Sequence, residues 1–435
     1  MTIDHRHALA SLESLLQTLS PEELRKRLMP KKHAPPPKVV SGSEITPEAV
    51  QRRWAGLPSR GTEREMLLDA VTVHHAPEYA RHVENFVGTV KVPVGVAGHV
   101  RVNGSHAQGD YYVPMATLEA TLVASYSRGA QLITAAGGCA AATIRENVSR
   151  APGFAFQTLH EAGQFVAWAA GALPKLKHAA DSTSRYGRVQ GMRISLEGNH
   201  VYLIFDFSTG DAAGQNIVTI ATQAICEYIT RECPLKPVYA FLESNHSGDK
   251  KASAQSFMAG RGRSVTAEVV VPRGMVESRL HTTPELMCRY WAMSAIGGVL
   301  SGTIGVQGHY ANGLAAIYLA CGQDVACVAE SAVGVTRMEM AGEALYVSVT
   351  LPNLVVGTVG GGTALPSQRA CLDMLGLAGA GNANAFAEVC AAIALAGELS
   401  IVGALCAGEF AQAHARLARG GAVAAATAAH DGGHA

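Results

Sequence analysis

Between residues 386 and 408 the chain is apolar except for Glu388 and Glu398. A run of this length either crosses a membrane or forms a helix inside a large core. Two carboxylates within it argue against lipid, where charge is costly, so the run is read as a core helix. A second stretch, 290–323, contains no Asp, Glu, Lys or Arg, yet it is rich in glycine and carries Gln307, His309, Asn312 and Gln323. It is expected to be a buried, glycine-rich core segment rather than a membrane span. Both segments need a substantial core, and 435 residues at 48% hydrophobic content can supply one, with room for two or three domains.

Thirty-five basic residues balance thirty-five acidic ones. That balance gives no basic groove for nucleic acid and no patch for an anionic membrane, so neither is expected as a partner. Nine cysteines occur singly, with no CxxC pair and no secretory signal, and are expected as buried thiols in a reducing cytoplasm. Seventeen histidines include no HExxH, and His74-His75 reads as surface or core. No metal is expected.

Residues 9–29, LASLESLLQTLSPEELRKRLM, predict one or two short amphipathic helices, with Ser20-Pro21-Glu22-Glu23 as a helix start. PKKHAPPPKVVSGS then reads as a linker, and the last residues as a low-complexity tail. HVYLIFDF (200–207) predicts a strand, STGDAAGQ a turn, and the apolar positions 217, 220, 221, 224, 225, 228 and 229 an amphipathic helix. A strand, a small-residue turn and a helix start suit a phosphate, although Gly210 and Gly214 do not form GxGxxG. RGRSVTAEVVVP (261–272) and EALYVSVTLPN (343–353) predict further strands, the second with Leu345, Val347 and Val349 on one face. VVGTVGGGTALPSQ is too glycine-rich for a regular element and allows close approach of backbone or ligand. A long helical region is expected over 386–418. The mixture predicts an α+β fold.

The loop LESNHSGDKKASAQSF, residues 242–257, places an acid and two adjacent lysines among serines and glycines. It is either a solvated loop or the seat of a catalytic lysine kept charged by a carboxylate. Ten colinear blocks decide between these: ENFVGTVKVPVGVAG, VPMATLEATLVASYSRGA, DSTSR, GDAAGQN, GDKKASA, GRGRSV, AIYLACGQDVA, GTVGGGT, CLDMLGLAG and LAGELSIVGAL. Together, from about residue 70 to 419, the chain resembles 3-hydroxy-3-methylglutaryl-coenzyme A (HMG-CoA) reductases of the eukaryotic and archaeal kind.

The resemblance implies an N-terminal helical segment and linker over 1–47. It implies a large substrate-binding and dimerisation domain over 48–151 and 242–419, and an inserted ferredoxin-like NADP-binding domain over 152–241, followed by a flexible tail, 420–435. It further implies a homodimer or dimer of dimers with active sites at the subunit interface. Lys250 matches the lysine that stabilises negative charge on the thioester oxygen, Asp324 the carboxylate that keeps it charged, and Glu119 the proton donor near that oxygen, a role that calls for burial. His414 matches the histidine that protonates the departing thiolate of coenzyme A. Ser184 and Arg185 match contacts to the adenosine 2′-phosphate. Asp211, Ala212, Ala213, Gly214, Gln215 and Asn216 match the phosphate-side turn, with the methionines usual at 213 and 215 replaced. The expected cofactor is NADPH, two per product.

Among the substrate-binding positions Arg150, Asp249, Lys251 and Asn312 are kept. Glu243 stands where the resemblance implies a serine, and Met293 where it implies a lysine for the far carboxylate, a change of two negative units in the acyl pocket. Arg289, one helical turn before Met293, is a candidate replacement cation. Three functions follow: NADPH-dependent reduction of HMG-CoA to mevalonate and coenzyme A, reduction of another acyl thioester that is neutral or amine-bearing, or a non-catalytic nucleotide-binding or acyl-CoA-binding homologue.

Overall fold

The computed structural model describes residues 4–31, 41–58 and 61–410. The chain divides into two compact units, Met1–Thr89 and Val90–Ala435. In the first, the helix Pro21–Leu28 begins with Ser20 and Glu23 in a reciprocal capping box and Pro21 at the first helical position. A small core of Val50, Trp54 and Phe86 is organised by Arg53, whose buried guanidinium donates to the carbonyls of Gly42, Glu44 and Phe86.

The second unit is built on ten strands: β1 (Val94–Gly104), β2 (Gln108–Ala116), β3 (Cys139–Arg150), β4 (Gly153–Ala155), β5 (Arg188–Glu197), β6 (His200–Ser208), β7 (Tyr239–Phe241), β8 (Gly262–Val271), β9 (Val335–Ala341) and β10 (Ala344–Leu354). They join in the order β7-β4-β6-β3-β8-β10-β9, with β1 paired to β2 and β3, and β5 to β6. The long β3 links two halves: residues 140–147 pair with β8, and Val148–Arg150 pair with Phe205–Phe207 of β6. Arg150 therefore lies where the two halves meet. This is the α+β architecture the sequence predicts.

Each half has its own core. On one side, the helices Leu159–Asp181 and Gln215–Glu232 pack around Phe154, Phe165, Phe205 and Phe207. The helix 215–232 buries Val218 where the apolar spacing placed Ile220, which is 59% exposed. On the other side, the core surrounds the helix Ala383–Cys406, of which nearly every residue is buried. It is the one described helix long and apolar enough to cross a membrane. Its two acids explain why it sits in protein instead. The buried Glu388 accepts from Ser105 Oγ and from the backbone N–H groups of His106, Ala107 and Thr143. The buried Glu398 accepts from the N–H groups of Gly308 and His309, at the start of the helix Tyr310–Ala320, and from Thr336 Oγ1 at 2.8 Å. Neither has a cationic partner among the described residues. Dense hydrogen bonding and the positive end of a helix replace one, and the acids pin the core helix to the surrounding loops.

Three expectations change. The segment 290–323 is not uniformly buried: the helix Pro284–Ser301 leaves Met293, Ile296, Val299 and Leu300 between 63% and 84% exposed, while only the helix Tyr310–Ala320 is core. Charge-free composition marks exposed apolar faces as well as cores. The helical region expected over 386–418 is interrupted: its first helix ends at Cys406, with Gly408 in the left-handed region at φ 71°, and residues 411–418 lie outside the described residues. The cysteines are free, but Cys226, Cys288 and Cys406 are only partly buried. His414 and the tail lie outside the described residues.

Candidate active site

β6 ends at Ser208, and the chain turns through Thr209–Gly214 into the helix Gln215–Glu232. Gly214 adopts φ 81°, and a side chain there would overlap Thr209, so the position requires glycine. With no side-chain cap on this helix, its first N–H groups are available to an anion. Against the turn lies the glycine-rich segment from Gly357, where a Cβ would run into the Ala213 amide. Asp211 ties the pieces together: its backbone carbonyl accepts from Thr358 N, and its carboxylate accepts from Gly381 N at 2.7 Å and Ala383 N at 3.1 Å, where the core helix begins. Turn and glycine segment enclose a cavity of about 510 Å³ lined by Ala212 to Asn216, Asp324 and Gly360 among others.

At the Asp324 edge of this cavity sits the Lys250 loop. Lys250 Nζ is 2.8 Å from Asp324 Oδ2. The hydrogen bond to Asp324 holds the Lys250 ammonium above the ordinary lysine range, against the opposing effect of burial. Lys250 adopts φ 57°, rare for a side-chain-bearing residue, and its N–H donates to the buried Glu330 at 3.1 Å. The preceding Asp249 is gripped by two arginines, Arg150 Nη1 at 2.9 Å and the fully buried Arg261. Burial alone would raise the Asp249 carboxyl, but Arg261 and Arg150 outweigh it and hold the group below the usual range. Gln215 Oε1 accepts from both arginines, at 2.6 Å and 3.5 Å, so the helix bearing the phosphate-side turn and the lysine loop share one network.

Glu243 belongs to the same network. Its carboxylate pairs with Arg150 Nη1 at 3.2 Å and accepts from Asn245 N at 2.8 Å and Ser247 Oγ at 3.0 Å. Arg150 is thus already matched by two acids. Lys251 is exposed, with its ammonium on the Asp249 carbonyl at 2.9 Å.

Other expected residues lie apart. Glu119 and Asn312 line a second cavity of about 250 Å³ with Arg128 and His309, and it shares no lining residue with the first. Glu119 is exposed in the single chain, so the burial expected of a proton donor is not supplied by this chain alone. Ser184 closes a small turn by accepting from Tyr186 N at 3.1 Å, and Arg185 beside it is exposed, in no ion pair among the described residues. Met293, 75% exposed, stands on the helix Pro284–Ser301 and lines neither cavity. Arg261 and Glu330 were not singled out from sequence. Arg261 lies within the GRGRSV block, but a buried role shows only once the chain is folded.

The hydroxymethylglutaryl-coenzyme A reductase profile matches residues 49–419. The chain belongs to this family. Among curated HMG-CoA reductases, that of Aeropyrum pernix is 44% identical over 349 residues, covering 79% of this chain and 83% of the relative. That of Methanothermobacter thermautotrophicus is 44% identical over 342 residues, covering 78% and 86%. The fold is similar to that of the class II HMG-CoA reductase from Streptococcus pneumoniae solved with NADPH in open conformations, at a TM-score of 0.61 and 20% identity, over 82% of this chain and 96% of that one.

Proposed function

We propose that this HMG-CoA reductase family member reduces the thioester of HMG-CoA to the alcohol mevalonate, releasing coenzyme A and consuming two NADPH. The observation that carries the reading is the Lys250–Asp324 ion pair at the edge of the cavity formed by the uncapped helix start and the glycine-rich segment. A backbone cradle where a Cβ would collide, open to a helix N-terminus, fits the phosphates of a dinucleotide. Bound there, NADPH supplies hydride to the thioester carbonyl carbon. Residues 152–241 would carry it, with Ser184 and Arg185 placed for a 2′-phosphate.

Lys250 stabilises the oxygen that becomes negative as hydride arrives, and Asp324 keeps the lysine charged and oriented. The carbon–sulfur bond then breaks, and His414 protonates the leaving thiolate to the free thiol. A second hydride converts the aldehyde to an alkoxide, which Glu119 protonates. One thioester, two NADPH and two protons thus give one alcohol, one thiol and two NADP⁺. Because Glu119 and Asn312 line a different cavity from Asp324, the ion-pair partner of Lys250, two copies of the chain would complete each site. The exposed apolar residues Leu286, Ile296 and Leu300 along one helix face suit that association. We place the enzyme in the cytoplasm, where its nine unpaired cysteines stay reduced.

One observation favours a second reading. Glu243 occupies Arg150, which leaves less positive charge for an acyl carboxylate and suits a neutral or amine-bearing acyl group. Purified protein assayed by NADPH oxidation separates the two. Turnover with HMG-CoA on the order of 1 per second or faster supports the first reading. Near-inertness to HMG-CoA, brisk turnover of an uncharged acyl-CoA, and at least about a tenfold gain on HMG-CoA in the Glu243→Ser, Met293→Lys double variant would establish the second.

A further inference from the structure

We propose that Glu330 is a positioning residue for the reduction, holding the Lys250 amide so that the Lys250 ammonium meets Asp324. The inference rests on the reading of Lys250 as the lysine facing the thioester oxygen.

Lys250 is fastened at both ends by one short segment of chain. Its ammonium meets Asp324, which also caps the turn Val325–Cys327 by accepting from Ala326 N at 3.1 Å. Its backbone N–H donates to Glu330 Oε1 at 3.1 Å, in the helical turn Val328–Ser331 that follows directly. Because the two acids stand on consecutive turns, the distance between them fixes how the lysine side chain is laid out. A left-handed residue in an otherwise polar loop has other conformations open to it, and the hydrogen bond to Glu330 selects this one.

Glu330 is itself locked. It is fully buried, its second oxygen accepts from Asn353 Nδ2 at 2.8 Å, and Arg261 Nε lies 3.6 Å away. The Arg261 backbone N–H donates to the same Asn353, and its guanidinium holds Asp249. The contacts close a ring: Lys250 to Glu330, Glu330 to Asn353 and Arg261, Arg261 to Asp249, and Asp249 by the peptide bond back to Lys250. A carboxylate needed only to balance Arg261 could sit anywhere near the guanidinium. This one reaches past it to the amide of the lysine.

Two conservative variants separate reach from charge. Glu330→Gln keeps an acceptor at full length and removes the charge, whereas Glu330→Asp keeps the charge and withdraws the acceptor by one methylene. With the thioester that the wild-type protein reduces, Glu330→Asp is expected to lower kcat about tenfold or more with the KM for NADPH changed less than about twofold, and Glu330→Gln to retain at least about a third of kcat. A second readout needs no turnover: modification of Lys250 by an amine-reactive ester at about pH 8.5, measured against Lys251 by mass spectrometry, should rise at least about threefold in Glu330→Asp, because an ammonium released from Asp324 loses its proton more readily. Wild-type kcat and labelling in Glu330→Asp, or a Gln variant more impaired than the Asp variant, would overturn the proposal. Lys250→Met tells that failure from failure of the underlying reading: if it remains active, Lys250 is not the lysine of the reaction and both fall, whereas if it is inactive while Glu330→Asp is unaffected, only the role of Glu330 is wrong.

Discussion

Single residues carry two tests of the site. Arg185 is exposed and in no ion pair among the described residues, as expected of a cation held for a phosphate. Arg185→Ala should raise the KM for NADPH at least about tenfold, the loss of one charge-assisted contact, and leave that for NADH nearly unchanged; steady-state kinetics with both cofactors checks it. Asp249 tests the network beneath the lysine. Its carboxyl is held below the usual range in the folded chain, so its ion pairs stabilise fully above the unfolded value of about 3.9 and are lost as pH falls through the lower folded value. Asp249→Asn is therefore expected to cost about 3 kcal/mol near neutrality, and the deficit should shrink as pH falls below the unfolded value of about 3.9. Urea denaturation as a function of pH measures it. Sequence alone reached the Lys250–Asp324 pair because both residues lie in blocks with a distinctive pattern. Arg261 and Glu330 were out of reach, since a buried ion pair between residues far apart in sequence leaves no periodicity or motif. The engagement of Glu243 with Arg150 was likewise invisible, although the substitution itself stood out.

At the scale of elements, the two acids of the core helix make a sharp prediction. Glu398 receives two backbone N–H groups and the buried Thr336 hydroxyl, so Glu398→Leu removes the acceptor of all three and should destabilise the protein by about 1–3 kcal/mol in denaturant unfolding. If these acids were incidental, an apolar residue in an apolar helix would be neutral or stabilising. Strands β6, β8 and β10 and the helix Gln215–Glu232 were legible because apolar residues recur at the period of each element. The exposed half of the helix Pro284–Ser301 differs from the core expectation because an exposed apolar face and a buried one share the same charge-free composition. The break after Cys406 is not legible in the sequence because the apolar pattern runs on through Gly408.

For the molecule as a whole, Glu119 lines a different cavity from Asp324, the ion-pair partner of Lys250, and the proposal that two copies of the chain complete each site predicts that catalysis depends on self-association. Ile296→Asp on the exposed helix face should yield a monomer by sedimentation and lose nearly all turnover while thermal unfolding stays close to wild type, since the side chain is 63% exposed in the single chain. A dimer that persists, or a fully active monomer, would show that the site is complete elsewhere. The proposed reaction requires the chain to carry out both hydride transfers on a thioester. The most direct measurement is the stoichiometry of NADPH oxidised to coenzyme A thiol released when limiting HMG-CoA is consumed to completion, with the carbon product identified. The account predicts two NADPH per thiol and mevalonate as product. One NADPH per thiol with an aldehyde accumulating, or no NADPH oxidation with HMG-CoA at all, would contradict it.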